Sequence, residues 1–405
     1  MTTAAPTHTR ELPPPPSERP GPIGWMRRNL FNGWLNSILT LVSLALIILM
    51  LRPLVSWVFT GAEWAVIPAN WNLLMRGSYP AEEVWRLWLS LYLLAAVAGL
   101  AWAAWGKSIN ATMIVTFAVP LILMLLPWLS MTARVNLAIM FAVAVVTFVL
   151  TRYIPLKPRI RIAVIALIVY FPLIILIIRG FDFSVQMPLV PSSLWGGLLL
   201  SLLLSVVGIV FSFPLGVLLA LGRQSKLPAI KMLSVIYIEF IRGVPLISLL
   251  FMGQVMLQLF LPVGTPPIDR VLRAMVAIVL FSAAYSAENV RAGLQSIPKG
   301  QYEAAHALGL SNFQSMTRII LPQAITAVIP VLVGQFIGLF KDTSLVALVG
   351  LLDLLGIARS ILGNPNWLGT QKEVYVVVAL IYWVFSYAMS HASRQVEAAT
   401  SVGEH

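Results

Sequence analysis

The chain contains no cysteine, and its four histidines are scattered at positions 8, 306, 391 and 405. Without thiols there is no disulfide, no thiolate nucleophile and no thiolate metal site, and the redox compartment stays open. The dispersed histidines suggest no metal cluster. Charge is also scarce: Asp, Glu, Lys and Arg make up 10% of the residues, against about a quarter in a soluble domain. Paired histidines and a buried carboxylate pair at suitable spacing are missing, which speaks against the usual sites of an intramembrane enzyme. Gly106-Lys107-Ser108 resembles the end of a phosphate-binding loop, but the glycine that loop requires five residues earlier is Ala101, and no strand precedes it. The chain is therefore expected to hold no ATP and no cofactor of its own.

What is abundant is apolar surface. Hydrophobic residues make up 59% of the 405 positions. Runs such as Trp34 to Val58 and Arg161 to Ile178 approach or exceed the ~20 residues that span a bilayer as a helix, so an all-α integral membrane protein is indicated and a β-barrel is not. The net charge of +12 could suggest nucleic acid, but the basic residues sit at the ends of apolar runs, where membrane topology accounts for them.

About ten spans are expected, at 34–58, 86–106, 111–129, 134–151, 161–179, 193–222, 232–261, 270–293, 322–341 and 373–391. Residues 1–24, rich in proline and charge, read as a disordered cytoplasmic tail, and 396–405 as a cytoplasmic C-terminal tail. Residues 25–189 form accessory spans and loops ahead of a core at 190–395. The loop with Arg152, Lys157, Arg159 and Arg161 is the densest in cations and is expected inside. The loop over 59–85, with Glu63, Glu82 and Glu83, is expected outside. Counting crossings from an inner N-terminus leaves both termini in the cytoplasm. Residues 345–362, apolar but carrying Asp353, read as a short amphipathic or re-entrant piece. No tandem repeat is present.

One stretch breaks the apolar pattern. Residues 296–321 read as a polar helix-turn-helix: Pro298 suits a first turn, Gly309 a left-handed helix end, and Ser311 with Gln314 has capping-box spacing. Pro322 then opens a new apolar run. The topology count places this hairpin in the cytoplasm, and Ala304, Ala305 and Ala307 keep its first helix thin enough for another protein to approach.

Glu303-Ala304-Ala305, three residues, Gly309, nine residues, then Ile319 and Leu321-Pro322 resembles the EAA loop of the membrane subunits of bacterial ABC importers. Ala287-Glu288, Arg291, Ile297 to Gln301, Arg242 to Leu246 and Lys341 to Leu345 are similar to the polar amino-acid uptake branch of that family. The resemblance covers roughly 190–395, and the long N-terminal half resembles the larger permease of general L-amino-acid uptake systems. It implies a type I importer transmembrane domain in the bacterial inner membrane and a transport subunit rather than an enzyme. It also implies two copies of a partner ATPase that bind ATP and Mg, a second related permease, and a soluble periplasmic binding protein that delivers L-amino acids. The rival reading is a secondary transporter driven by an ion gradient. Against it stand the absence of an inverted repeat and the few acids in mid-span.

The resemblance assigns ATPase coupling to Glu303, Ala304, Ala305, Gly309 and Leu310. Ionisable residues within spans are costly and are candidates for a substrate path or gate. Glu239 with Arg242, and Glu288 with Arg291, are i, i+3 acid–base pairs that either only neutralise helix ends or line the path, Glu288 meeting a substrate ammonium. Arg242-Gly243-Val244-Pro245 must interrupt its helix, which suggests a gate at Pro245. Gln254, like Gln258, Gln335 and Ser205, either bonds between helices or touches substrate. Lys341 and Asp342 either cap the outer mouth or form an interfacial salt bridge. Gly334 and Gly338 have the spacing of a close helix contact.

Overall fold

A computed structural model describes residues 21–106, 111–182, 184, 186–262 and 264–401. The expected tail at 1–24 therefore lies outside the described residues up to position 20, as do Lys107 and Ser108 of the loop-like motif and the last four residues of the expected C-terminal tail. The described residues are helical and contain no strand, only a single bridge between Gly197 and Asp353. This is what a bilayer requires, because a helix satisfies every backbone polar group within its own segment.

Two compact units are present, Met1–Glu63 and Trp64–His405. The first holds α1 (Pro22–Asn29), with Arg27 and Arg28 in its last turn, and α2 (Trp34–Ser56), which buries no residue and is apolar all round.

The second unit begins with α3 (Val66–Ala69) and α4 (Trp71–Arg76), then α5 (Val84–Trp105), α6 (Ala111–Leu123), α7 (Met131–Arg152) and α8 (Leu156–Arg179). The span expected over 111–129 does not form as one membrane-length helix. α6 has 13 residues, about 20 Å of rise, against a hydrocarbon core of about 30 Å. It stops because Pro127 disfavours helix at Leu126, which leaves the helical conformation. The return crossing is nevertheless made. Tyr92 donates to Asn136 at 2.7 Å near the start of α5 and α7, and Arg152 donates to the Gly106 carbonyl at 3.3 Å at their far ends. The two helices are therefore parallel, and the chain between them must come back through α6 and the turns over 124–130.

The remainder comprises α9 (Gly197–Arg223), α10 (Pro228–Arg242), α11 (Leu246–Phe251) and α12 (Leu257–Leu259), then α13 (Arg270–Ser296), α14 (Lys299–Ala307), α15 (Asn312–Ser315), α16 (Leu321–Asp342), α17 (Leu354–Leu362) and α18 (Gln371–Ser401). α18 continues six residues past the boundary expected for the C-terminal tail. Among the described residues, eight helices are long and apolar enough to cross a membrane, nine if the pair bent by 103° at Gly243–Pro245 is one span. α13 is the central helix, packed on α9, α10, α11 and α16. Close approach there needs glycine: a side-chain carbon on Gly216 of α9 would lie 2.5 Å from Ser286 Cβ and 3.0 Å from the α13 backbone. Gly334 and Gly338 behave otherwise, since a carbon added to either meets nothing within 4 Å, so their spacing makes no close contact within this chain.

The N-terminal helices of this unit are not a separate layer. Tyr170, Ile174 and Ile178 of α8 share one buried cluster with Leu200 and Leu204 of α9 and Ile278 of α13. Val66, Ile67 and Leu74 share a second with Leu354, Ile357 and Val374.

Candidate functional site

The hairpin after α13 is built largely as its residues dictate. Pro298 stands at the N-cap, with φ −59° and ψ 141°, one residue ahead of α14 rather than in its first turn. At the other end Gly309 adopts φ +74°, its N–H bonds the His306 carbonyl at 2.9 Å, and the Leu310 N–H reaches the Ala305 carbonyl at 3.2 Å. This pair of bonds is a Schellman closure, which satisfies two carbonyls that the helix end leaves free. Ser311 and Gln314 then form a full capping box, with bonds of 3.3 and 3.0 Å. Pro322 does not open a new helix. The chain is helical from Asn312 onward, and the π-turn Met316–Ile320 ahead of Pro322 widens the helix where the proline cannot donate a backbone bond.

The hairpin has two faces. Ala305 is buried, and Tyr302, Ile297 and Ile319 rest on a cluster formed by Ala220, Ile238, Val290, Leu294 and Ile320 from the ends of α9, α10, α13 and the π-turn. Glu303, Ala304 and Ala307 face outward, Gly309 is exposed and Leu310 half-buried. Beside them Leu308 and Phe313 are 78% and 76% exposed. Two large apolar side chains thus lie exposed next to the Glu303 carboxylate on a capped turn.

Directly above this cluster lies an ion network. Glu288 accepts from Arg291 Nε at 3.0 Å and from a second nitrogen of the same guanidinium, while its other oxygen is 3.5 Å from Arg223 and 3.8 Å from Arg242. The expected Glu288–Arg291 pair therefore forms. The expected Glu239–Arg242 pair does not, since Glu239 is 2.9 Å from Arg223 of α9. Arg242 ends α10 just before the break, and its guanidinium lies over the Tyr285 ring, 5.8 Å from the centroid, which turns it towards α13 and Glu288. Three cations thus share one carboxylate, whose side chain stays 22% exposed.

The other expected site residues lie apart. Pro245 is extended at the 103° break, as its lack of a donor requires. Gln254 donates to the Arg270 carbonyl at 2.6 Å, an interhelical bond. Lys341 and Asp342 close α16, and no ion pair within 4.0 Å joins them among the described residues.

Four participants escaped the sequence reading as site residues. Arg223 ends an apolar run as any topological cation does, and nothing local separates it from Lys226. Asn289, Ser282 and Ser286 surround Gln335: Asn289 donates to its oxygen at 2.7 Å, and its amide nitrogen reaches the Ser282 and Ser286 hydroxyls at 3.0 Å. Their signal was three-to-four residue spacing along one face of α13.

Residues 212–401 match the family described as binding-protein-dependent transport system inner membrane component. The inner membrane amino-acid ABC transporter permease protein YhdY of Escherichia coli is 39% identical over 397 residues, covering 94% of this chain and 93% of its own. The glutamate/glutamine/aspartate/asparagine transport system permease protein BztC of Rhodobacter capsulatus is 39% identical over 438 residues, covering 95% of each. A shorter relative, the glutamate/aspartate import permease protein GltK of Escherichia coli, is 38% identical over 52% of this chain and 94% of its own. Among solved structures, an amino acid ABC transporter crystallised with histidines is 32% identical, with a TM-score of 0.46 over 50% of this chain and 92% of its own. Identity that extends along nearly all of two long relatives, in a chain whose central helices lead into a capped hairpin, has one consequence: the chain belongs to the family of multi-pass inner-membrane permease subunits of binding-protein-dependent ABC importers.

Proposed function

We propose that this permease forms half of a translocation path for L-amino acids and opens it by alternating access. The other half is a second, related permease. Two copies of a separate ATPase subunit bind ATP and Mg and grip the hairpin, and a soluble binding protein delivers substrate from the far side. In this reading the hairpin and both termini lie in the cytoplasm. The N-terminal helices up to residue 189 are accessory to a core at 190–395.

The observation that carries the reading is the two-faced hairpin. Its outer face, with Glu303, Leu308 and Phe313, meets the ATPase, while its inner face rests on the helix ends that hold Arg223, Glu239, Glu288 and Arg291. A push on the hairpin therefore reaches the ion network through one packed layer. Half-exposed ion pairs are worth about 0.2–1 kcal/mol each, and switching a two-state element almost completely takes about 5.5 kcal/mol. The network is thus weak enough to act as a latch that nucleotide binding in the partner can open. The names of the full-length relatives support amino acids as substrate.

The cysteine-free sequence makes the test clean. Ala307→Cys is to be cross-linked in the assembled complex with a bifunctional reagent and uptake measured in proteoliposomes. The ATPase subunit is expected in the cross-linked product, and uptake of labelled amino acids requires ATP. ATP-independent uptake by the chain alone, or labelling of residue 307 only from the side opposite the ATPase, would overturn the reading.

A further inference from the structure

At the end of the core away from the hairpin, the core helices meet over residues 343–357. This stretch follows α16, Arg270 in the first turn of α13 donates to the Val349 and Gly350 carbonyls at 3.1 and 3.3 Å, and the Leu354 N–H bonds Ser201 of α9. α17 therefore sits where any opening at this end must begin. Packed against it are α3 and α4, which lie outside the matched family region at 212–401. Val66, Ile67 and Leu74 are buried in one cluster with Leu354, Ile357 and Val374, none more than 4% exposed.

Glycines then set bare backbone against bare backbone. Gly77 ends α4 at φ +61°, and a side-chain carbon there would lie 2.5 Å from the Gly196 Cα. Gly197 opens α9, also at φ +61°, and a carbon there would run into the Leu74 carbonyl. A carbon on Gly196 would lie 2.8 Å from the Leu352 carbonyl, the same carbonyl that the Gly197 N–H bonds at 2.8 Å. Residues 73–77, 196–197 and 352 thus form three backbone layers in direct contact, an arrangement open only to glycine. Two bonds tie down the chain that follows: the Tyr79 hydroxyl donates to the Ile178 carbonyl at 2.8 Å, and the fully buried Arg86 to the Pro188 carbonyl at 2.9 Å.

Packed interiors barely compress, so a tilt of α17 or of the start of α9 pushes directly on α4. We infer that residues 64–79 position the mouth of the permease: they seat α17 and the start of α9, and the three move as one body during transport. Within the N-terminal part proposed above as accessory, this segment is a working piece of the core.

The test uses the full chain in the assembled complex. Ile357→Cys places the chain's one thiol beneath α3 and α4, and Asn72→Cys, on the exposed side of α4, is the control. With a membrane-impermeant maleimide, Asn72→Cys should label in both the nucleotide-free and the vanadate-trapped complex, and Ile357→Cys in neither. Adding Gly77→Val forces a branched side chain into the left-handed region and against Gly196. Labelling of Ile357→Cys should then rise about tenfold, the factor of one residue held in that region. The ATP hydrolysed per amino acid imported should rise with it, whereas a segment that only stabilises the fold would lower the amount of complex and leave that ratio unchanged. An unchanged ratio in an assembled Gly77→Val complex would overturn the inference. So would labelling of Ile357→Cys at the Asn72→Cys rate in either state, which decides alone if Gly77→Val does not assemble. Labelling of the nucleotide-free complex depends on neither the substrate nor the ATPase assignment, so its failure is distinguishable from a failure of the transport reading.

Discussion

The two ends of the helical core are fastened in opposite ways. At the hairpin end the fastening is ionic: three arginines and two glutamates on α9, α10 and α13, with side chains between 22% and 54% exposed. At the other end it is short, buried and mostly backbone-directed. Asp353 is fully buried and caps α17, accepting from the Gly356 N–H at 2.9 Å and the Leu355 N–H at 3.3 Å, and Tyr382 of α18 donates to its second oxygen at 3.2 Å. Beside it the Leu354 N–H bonds the Ser201 hydroxyl at 3.1 Å and the Gly197 N–H the Leu352 carbonyl at 2.8 Å. Long side chains in partial solvent exchange partners at little cost, whereas a buried network of short ones is all or nothing. One end is thus held by exchangeable ion pairs and the other by a buried network, which fits the latch proposed above.

The largest effect should come from breaking the closed end. Asp353→Ala removes a cap worth about 0.5–2 kcal/mol and the acceptor of a buried tyrosine worth about 1–3, a loss of about 3 kcal/mol in thermal unfolding of the complex. Asp353→Asn should cost less, because it still caps. Acidity separates the two ends as well. Burial raises the Asp353 carboxyl from its ordinary 3.8 to about 6, so the folded chain holds that proton more tightly than the unfolded one. Its contribution is therefore full at low pH and is lost as pH rises through about 6. Going from pH 7.5 to 5 should stabilise the wild type by about 1 kcal/mol relative to Asp353→Asn, which lacks the titration. An equal pH response in both proteins would mean that this end does not behave as a buried, proton-binding knot.

Next in size is the acid at the centre of the open end. Glu288→Ala leaves three arginines facing one another with only Glu239 nearby, and the lost charge-assisted bonds are worth about 2 kcal/mol. The signature that separates a latch from a mere strut is the ratio of ATP hydrolysed to amino acid imported, which should rise. A variant that loses stability but keeps the wild-type ratio would make Glu288 structural.

How far these two ends were legible in the sequence follows from how each is held. The hairpin could be read because its determinants are local: Gly309, Ser311 and Gln314 act on backbone within four residues of themselves. Glu288 with Arg291 could be read for the same reason, as one helix turn. Glu239 was paired wrongly with Arg242 because its true partner, Arg223, comes from another helix, and no spacing rule reaches across a loop. The Asp353 knot was visible only as a charge in an apolar run, since Tyr382 lies 29 positions from Asp353 and Ser201 lies 153 from Leu354, whose N–H it accepts. The missing membrane-length helix at 111–129 is a different failure. Hydropathy saw enough apolar residues, but Pro127 ended the helix early and the turns completed the crossing.

The smallest expected effect gives the sharpest test of where the open end is centred. Arg242 lies 3.8 Å from Glu288, farther than Arg223 or Arg291, its side chain is 34% exposed, and part of its stabilisation is the contact with the Tyr285 ring. Arg242→Ala should cost about 0.5 kcal/mol, and less at high salt, where such pairs are screened. In a double-mutant cycle with Glu288→Ala its coupling should be smaller than that of Arg291→Ala, because Arg291 binds both through its Nε and through a second nitrogen. A larger coupling for Arg242 would move the centre of the latch to the break at Pro245. The span bent at that break, rather than α13, would then be the element that opens.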